Sequence, residues 1–163
     1  MFFTDIPSPV GTLRLSSDGT ALTGLWLKGQ KYFAAGLDPR AEKAPELPVF
    51  QEAAIWLNGY FRGDPPLPLP SLSPKGTAFQ QAVWKRLLEI PYGQTATYGT
   101  LAAELGTSPR AVGSAVGHNP ISILIPCHRV MGSNGALTGY AAGIDTKYYL
   151  LTLEGVDVRC PKA

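Results

Sequence analysis

Cysteine and histidine are scarce in this 163-residue chain, which has two of each: Cys127 and Cys160, His118 and His128. Two cysteines cannot build the disulfide framework that holds small secreted domains together. No C-x-x-C or H-x-x-x-H spacing occurs, and residues 1–117 contain neither residue type. No metal and no other cofactor is therefore expected. Long apolar runs are missing too, so no membrane-spanning helix and no membrane partner are expected. The N-terminus carries Asp5, Pro7 and Pro9 and no basic start, which does not read as a signal peptide. With short tails and no basic localisation run, the chain suits a bacterial cytoplasm, where thiols stay reduced.

What is present is ordinary for a packed protein. Hydrophobic residues make up 45% and charged residues 16%, too apolar for a disordered chain. The charge is uneven. Residues 1–74 hold six basic and seven acidic side chains, whereas residues 75–163 hold eight and five. The second part is the better candidate for contact with a polyanion.

An α+β chain with two domains is expected. Phe2-Phe3, Thr12 to Leu15 and Ala21 to Leu27 read as strands of a small antiparallel sheet. Ser8-Pro9-Val10-Gly11 and Asp18-Gly19 supply the turns between them. Residues 28–46 read as irregular. Phe50, Ala53, Ala54, Leu57, Tyr60 and Phe61 recur at helical spacing, and Gly63 ends that helix. Five prolines between Pro65 and Pro74 forbid regular structure. The boundaries are thus 1–63 for a sheet-and-helix domain, 64–76 for a proline-rich linker and 77–163 for a mostly helical second domain.

In the second part, Thr77 and Gln80 form a capping box for a helix over 78–89 that buries Phe79, Val83, Leu87 and Ile90. Thr97 caps a short helix over 98–105. After Gly106-Thr107, Ser108 caps another helix with Pro109 at its first position, ending at Gly117. Helix, glycine turn, helix is the helix-turn-helix pattern, which serves either DNA binding or plain scaffolding. From Arg110 to Gly117 the third helix has one long polar side chain, Arg110, and otherwise small residues. It cannot read bases in the major groove, which needs several long polar side chains. Small side chains such as Ala111 and Gly113 permit close approach, either to a neighbouring helix or to the minor groove with Arg110 inserted.

Ile121 to Ile125 is an apolar run read as extended and buried, delivering Pro126-Cys127-His128-Arg129-Val130. A lone cysteine after such a run is more often an inert core residue. Here the adjacent His128 and Arg129 raise the local positive potential and favour the thiolate. The Asn134-Gly135 turn places Cys127 at the edge of the run. In extended structure neighbouring side chains oppose each other, so Cys127 and His128 would act through a bridging water or a bend. A last helix, capped by Asp145, ends at Gly155. Glu154 in its final turn is a candidate to orient His128, though an exposed solvated glutamate is the commoner outcome.

Ile123-Leu124-Ile125-Pro126-Cys127-His128-Arg129-Val130 resembles the active-site motif of the 6-O-alkylguanine-DNA alkyltransferases. The resemblance runs through residues 77–155 and takes in Phe79-Gln80, Val83-Trp84, Ile90-Pro91-Tyr92-Gly93, Thr97-Tyr98, Arg110-Ala111-Val112-Gly113, Gly117-His118-Asn119-Pro120, Thr138-Gly139-Tyr140 and Leu153-Glu154-Gly155. It implies an RNase H-like first domain and a winged-helix-like second one. It implies irreversible, stoichiometric transfer of the alkyl group, methyl foremost, from 6-O-alkylguanine in duplex DNA to Cys127, by a monomer that flips the base out. His128, a water and Glu154 would draw off the thiol proton. Asn119 would brace the turn before the site, and Tyr98 would hydrogen-bond the flipped guanine. Arg110 would fill the gap in the stack, Tyr140 would wall the pocket, and backbone groups of Cys127 and Val130 would read the guanine edge. Ser133 and Ala141 would also face substrate. Ala141 stands where some relatives have serine, so a contact from there to the guanine oxygen would use backbone.

Three rivals predict other outcomes. A non-catalytic damage-binding relative would replace the cysteine. A cysteine hydrolase would draw its histidine from elsewhere in the chain, and only His118 is available. A purely structural DNA-binding protein would be indifferent to Cys127→Ala.

Overall fold

The computed structural model describes residues 1–158 other than Asn134 and Thr138. Cys160, and the Asn134 and Thr138 positions of the motifs above, lie outside the described residues. Two compact units result: Met1–Lys75 with Pro120–Leu124, and Gly76–Asn119 with the chain from Ile125 onward. Among the described residues no helix is long and apolar enough to cross a membrane.

In the first unit, β1 (Phe2–Ile6), β2 (Leu13–Ser17), β3 (Leu22–Leu27) and β4 (Glu42–Lys43) form a sheet in the order β3-β2-β1-β4. β1, β2 and β3 pair antiparallel, as the short turns between them predict. The sheet is mixed rather than antiparallel, because β4 joins β1 in parallel, Phe2 opposite Glu42. β4 is two exposed charged residues with no periodicity, so the segment 28–46 reads as irregular although it closes the sheet edge. The other edge is β3, buried along its whole length. Two segments satisfy its outer backbone groups. Leu22 N–H donates to the Ser71 carbonyl at 2.8 Å and Leu25 N–H to that of Pro120 at 2.8 Å; Ser73 and Ser122 donate back. An edge covered this way offers no template for pairing with another chain. The proline-rich segment is therefore part of the unit, and the Trp56 indole N–H fastens it at the Leu67 carbonyl.

α1 (Pro48–Arg62) starts with proline at its first position and stops at Gly63, whose φ of 80° is left-handed. It packs on β2 through Val49, Phe50, Ala53, Trp56, Leu57 and Tyr60. The run 121–125 is buried as expected, but it is not extended. Beyond the Ile121 bridge to β3 the chain turns at once, with Leu124 N–H on the Ser122 carbonyl and Ile123 at φ 71°. A β-branched residue there is rare, and the turn holds it.

In the second unit, α2 (Ala78–Leu87) has the expected capping box, Thr77 and Gln80 bonding each other's backbone. It ends before the expected Glu89, in a turn that leads to Pro91. Phe79 is 38% exposed rather than buried. It lies at the margin of a face centred on Val83, Trp84 and Leu87, and the larger Trp84 takes the interior. The Trp84 indole N–H donates to the Ala115 carbonyl at 2.8 Å, tying α2 to the helix-turn-helix. That motif is α3 (Tyr98–Leu105), Gly106 at φ 66°, and α4 (Pro109–Gly117). Two short strands, β5 (Ala96–Thr97) and β6 (Val130–Met131), pair in parallel. The last helix, α5 (Ile144–Leu153), is preceded by Gly143 at φ 97° rather than capped by Asp145. The chain enters the helix at that positive-φ residue, two positions before Asp145, so the Asp145 side chain cannot close the helix start and stays in the first turn.

Candidate active site

Pro126 turns the chain into a single 3-10 turn, Cys127–Arg129, inside the second unit. The Arg129 N–H closes on the Pro126 carbonyl at 3.0 Å, and the Cys127 N–H on that of Ile125 at 2.7 Å. With three residues per turn, successive side chains diverge by about 120° instead of opposing each other as in a strand. Of the two expected arrangements, a bridging water or a bend, the bend is present at Cys127, and it lets neighbouring side chains serve one site. Val130 then enters β6, and pairing with β5 fixes the end of the turn next to the start of α3.

Cys127 is 4% exposed. Burial pushes its thiol pKa up, while a hydrogen bond from the Asn119 side chain, the Lys147 ammonium and the Tyr140 hydroxyl pull it down. Asn119 also donates through Nδ2 to the Ile125 carbonyl at 2.9 Å, which fixes the chain just before Pro126. The buried sulfur has donors around it, so a thiolate formed there is supported at the atom itself.

His128 has no exposed surface. Its Nε2–H donates to Glu154 Oε2 at 2.6 Å. Burial lowers its pKa, against the raising effect of Glu154, and the charges of Arg129 and Lys147 lower it further. The ring is thus neutral near pH 7, with its proton on Nε2 and a lone pair on Nδ1. Glu154, placed at the C-terminal cap of α5, is buried instead of solvated. Several donors hold it. Besides His128 these include Arg129 Nε on Oε1 at 2.8 Å, Arg129 Nη2 on Oε2 at 3.2 Å, and the Gly93 N–H on Oε1 at 3.1 Å. Gly93 is at φ 79°, and a Cβ there would stand 3.2 Å from the Glu154 carbonyl oxygen, so glycine is required.

Lys147 on α5 is a member of the site that sequence reasoning missed. It is fully buried, its Nζ donates to the Val130 carbonyl, and it lies 5.9 Å from the Tyr98 ring centroid. Burial lowers its pKa to about 8, opposed by Cys127. The signal was in the spacing: Lys147 shares the i, i+3, i+4 face of Leu150 and Leu151. Tyr98, at the first position of α3, lies against α4 where Gly113 leaves room; a Cβ on Gly113 would meet the ring at 3.9 Å. Tyr140 and Ala141 are half-buried, as are Ala111 and Gly113; Val130 is buried and Ser133 exposed. Arg110 projects from the exposed start of α4 and is not part of the buried cluster.

The cluster joins a buried cysteine with donors at sulfur, a neutral imidazole held by a clamped carboxylate, and a helix-turn-helix whose second helix is small-sided. This defines a protein of group-transfer chemistry at cysteine on a nucleic-acid-binding scaffold. Residues 78–156 match the DNA-binding domain of 6-O-methylguanine DNA methyltransferase. The chain is 44% identical to the methylated-DNA–protein-cysteine methyltransferase of Haemophilus influenzae, over 96% of this chain and 87% of that one. It is 45% identical to the Methanosarcina barkeri protein of the same name, over 98% of this chain and all of the other. The crystal structure of Mycobacterium tuberculosis OGT in complex with DNA superposes with a TM-score of 0.86 at 44% identity, covering 94% of this chain and 92% of that one. The chain belongs to the methylated-DNA–protein-cysteine methyltransferase family of DNA-repair enzymes.

Proposed function

We propose that this protein removes the alkyl group, methyl foremost, from the O6 atom of guanine in duplex DNA and keeps it on Cys127, one group per molecule. The observation that carries the reading is the buried Cys127 sulfur, hydrogen-bonded by Asn119 and Tyr140 and followed directly by His128, which is bonded to Glu154. In this mechanism the Cys127 proton passes through a water to Nδ1 of His128. The sulfur attacks the alkyl carbon, an S–C bond forms and the C–O6 bond breaks. The electron pair goes to the departing base, which takes up one proton and leaves as ordinary guanine. The Tyr98 hydroxyl hydrogen-bonds the base as charge develops on it, and the Lys147 ammonium supports the thiolate beforehand. Asn119 holds the turn that carries the sulfur, Tyr140 walls the pocket, and the backbone of Cys127 and Val130 takes the guanine edge.

The O6 atom is unreachable inside a stacked duplex, so the nucleotide is extruded at a cost of a few kcal/mol. α4 supports this step. Its small face, Ala111 and Gly113 included, suits close approach to a minor groove without base readout, and exposed Arg110 can occupy the vacated stack. Ser133 and Ala141 complete the substrate-facing set, and the protein acts as a monomer. The thioether product is not hydrolysed, so the protein is consumed. Titrating protein into a duplex with one 6-O-methylguanine, then digesting the DNA and counting modified base, tests this. One lesion lost per protein is expected; repeated turnover, or no loss with the duplex bound, overturns the reading.

A further inference from the structure

The proposed transfer gives His128 the part of base, which needs a ring that is neutral and correctly oriented although it touches a carboxylate at 2.6 Å. A carboxylate that close favours imidazolium. Arg129 has been read from sequence only as a source of positive potential near the thiol, and its guanidinium is placed differently. It closes around Glu154 through Nε and Nη2, with Nη1 anchored on the Ile90 carbonyl at 2.7 Å. Its carbon lies 5.8 Å from the Tyr92 ring centroid. The Ile90–Gly93 turn therefore supplies both a seat for Arg129 and a further donor to Glu154, the Gly93 N–H.

We propose that Arg129 is a positioning residue for alkyl transfer: it clamps the Glu154 carboxylate so that His128 keeps its proton on Nε2 and presents the Nδ1 lone pair as the base. Two effects combine. The fork takes up lone pairs on both carboxylate oxygens and fixes the direction in which Oε2 meets the His128 N–H. The fixed positive charge also offsets Glu154 where His128 would otherwise be charged. The groups facing His128 are Cys127 and Arg129 on its own turn, and Lys147 and Glu154 of α5. Burial disfavours the imidazolium most, Glu154 favours it, and the charges of Arg129 and Lys147 tip the balance further against it.

This inference rests on Cys127 as the acceptor, and its test separates the two. Arg129→Met removes the charge and the fork; Arg129→Lys keeps the charge and loses the fork. The pH profile of single-turnover methyl transfer is measured beside binding of the methylated duplex. For Arg129→Met the acid limb moves up by about one pH unit, the low end of what a neighbouring unit charge does. For Arg129→Lys the limb stays where the wild type has it, and the plateau falls about tenfold, as for loss of one oriented charged hydrogen bond. Duplex affinity stays unchanged in both. The chain has two histidines, so a 15N-histidine spectrum of the wild type resolves His128 directly. A neutral ring protonated at Nε2 is expected at pH 7. An imidazolium there, or a proton on Nδ1, overturns the inference even if both variants fail to fold. Wild-type transfer together with an unshifted limb in Arg129→Met overturns it alone. Absence of wild-type transfer overturns the acceptor reading, while the spectrum still decides the state of His128.

Discussion

Glu154→Gln replaces one carboxylate oxygen by an amide group of nearly the same shape. Glu154 is buried and its two oxygens accept from several donors, among them the His128 imidazole, two guanidinium nitrogens of Arg129, and the Gly93 amide. Whichever way the new amide turns, its NH2 faces at least one of these donors, and the Arg129 charge loses its counter-ion. Breaking a buried pair from one side costs about 3–5 kcal/mol. For a chain of this length each kcal/mol lowers Tm by about 2–4 °C, so a fall of at least roughly 6 °C is expected by calorimetry. The two units need not melt together, so the transition to follow is the one reported by the second unit, through Trp84 fluorescence in a variant lacking the other tryptophans. The transfer rate should also fall by about 100-fold or more, since the base loses its orientation. A variant that melts within about 2 °C of wild type and transfers at the wild-type rate would refute the argument that Glu154 is held as a buried anion for His128.

Two further outcomes follow from the same geometry. The pKa of His128 is lowered below the usual 6.5, so below that pH the unfolded chain binds a proton that the folded one does not. Stability present above pH 6.5 is therefore lost as pH falls, with a slope approaching about 1.4 kcal/mol per pH unit; urea titrations should show it in wild type and His118→Gln, and not in His128→Gln. Arg110→Ala should leave reaction with the free alkylated base unchanged while slowing repair of the duplex more than tenfold, because the proposed role of Arg110 exists only when a base is extruded; equal losses on both substrates would remove it from that role.

Much of the second unit is legible in the sequence because its signals are local. Thr77 with Gln80, Thr97, Ser108 with Pro109, and Gly106 each fix a helix end by backbone chemistry within four residues. Where local signals were absent or conflicting, tertiary structure decided. β4 exists only because β1 offers an edge to Glu42 and Lys43. The run 121–125 has the composition of a strand, yet only Ile121 finds a partner edge, and the rest turns. Phe79 looked internal until Trp84 took the interior. Glu154 looked solvent-exposed because its partners, Gly93 and Arg129, lie 61 and 25 residues away. A lysine among tyrosines and leucines reads as a surface residue, and the Val130 carbonyl that helps make the burial of Lys147 tolerable is 17 residues away.

The most direct test of the central claim is intact-protein and peptide mass spectrometry after mixing the protein with a short duplex carrying one 6-O-methylguanine. A gain of one methyl group per molecule, mapped to Cys127 and absent in Cys127→Ala, is the result this account predicts. A methyl group on any other residue, or an unmodified protein beside an unrepaired duplex, would contradict it.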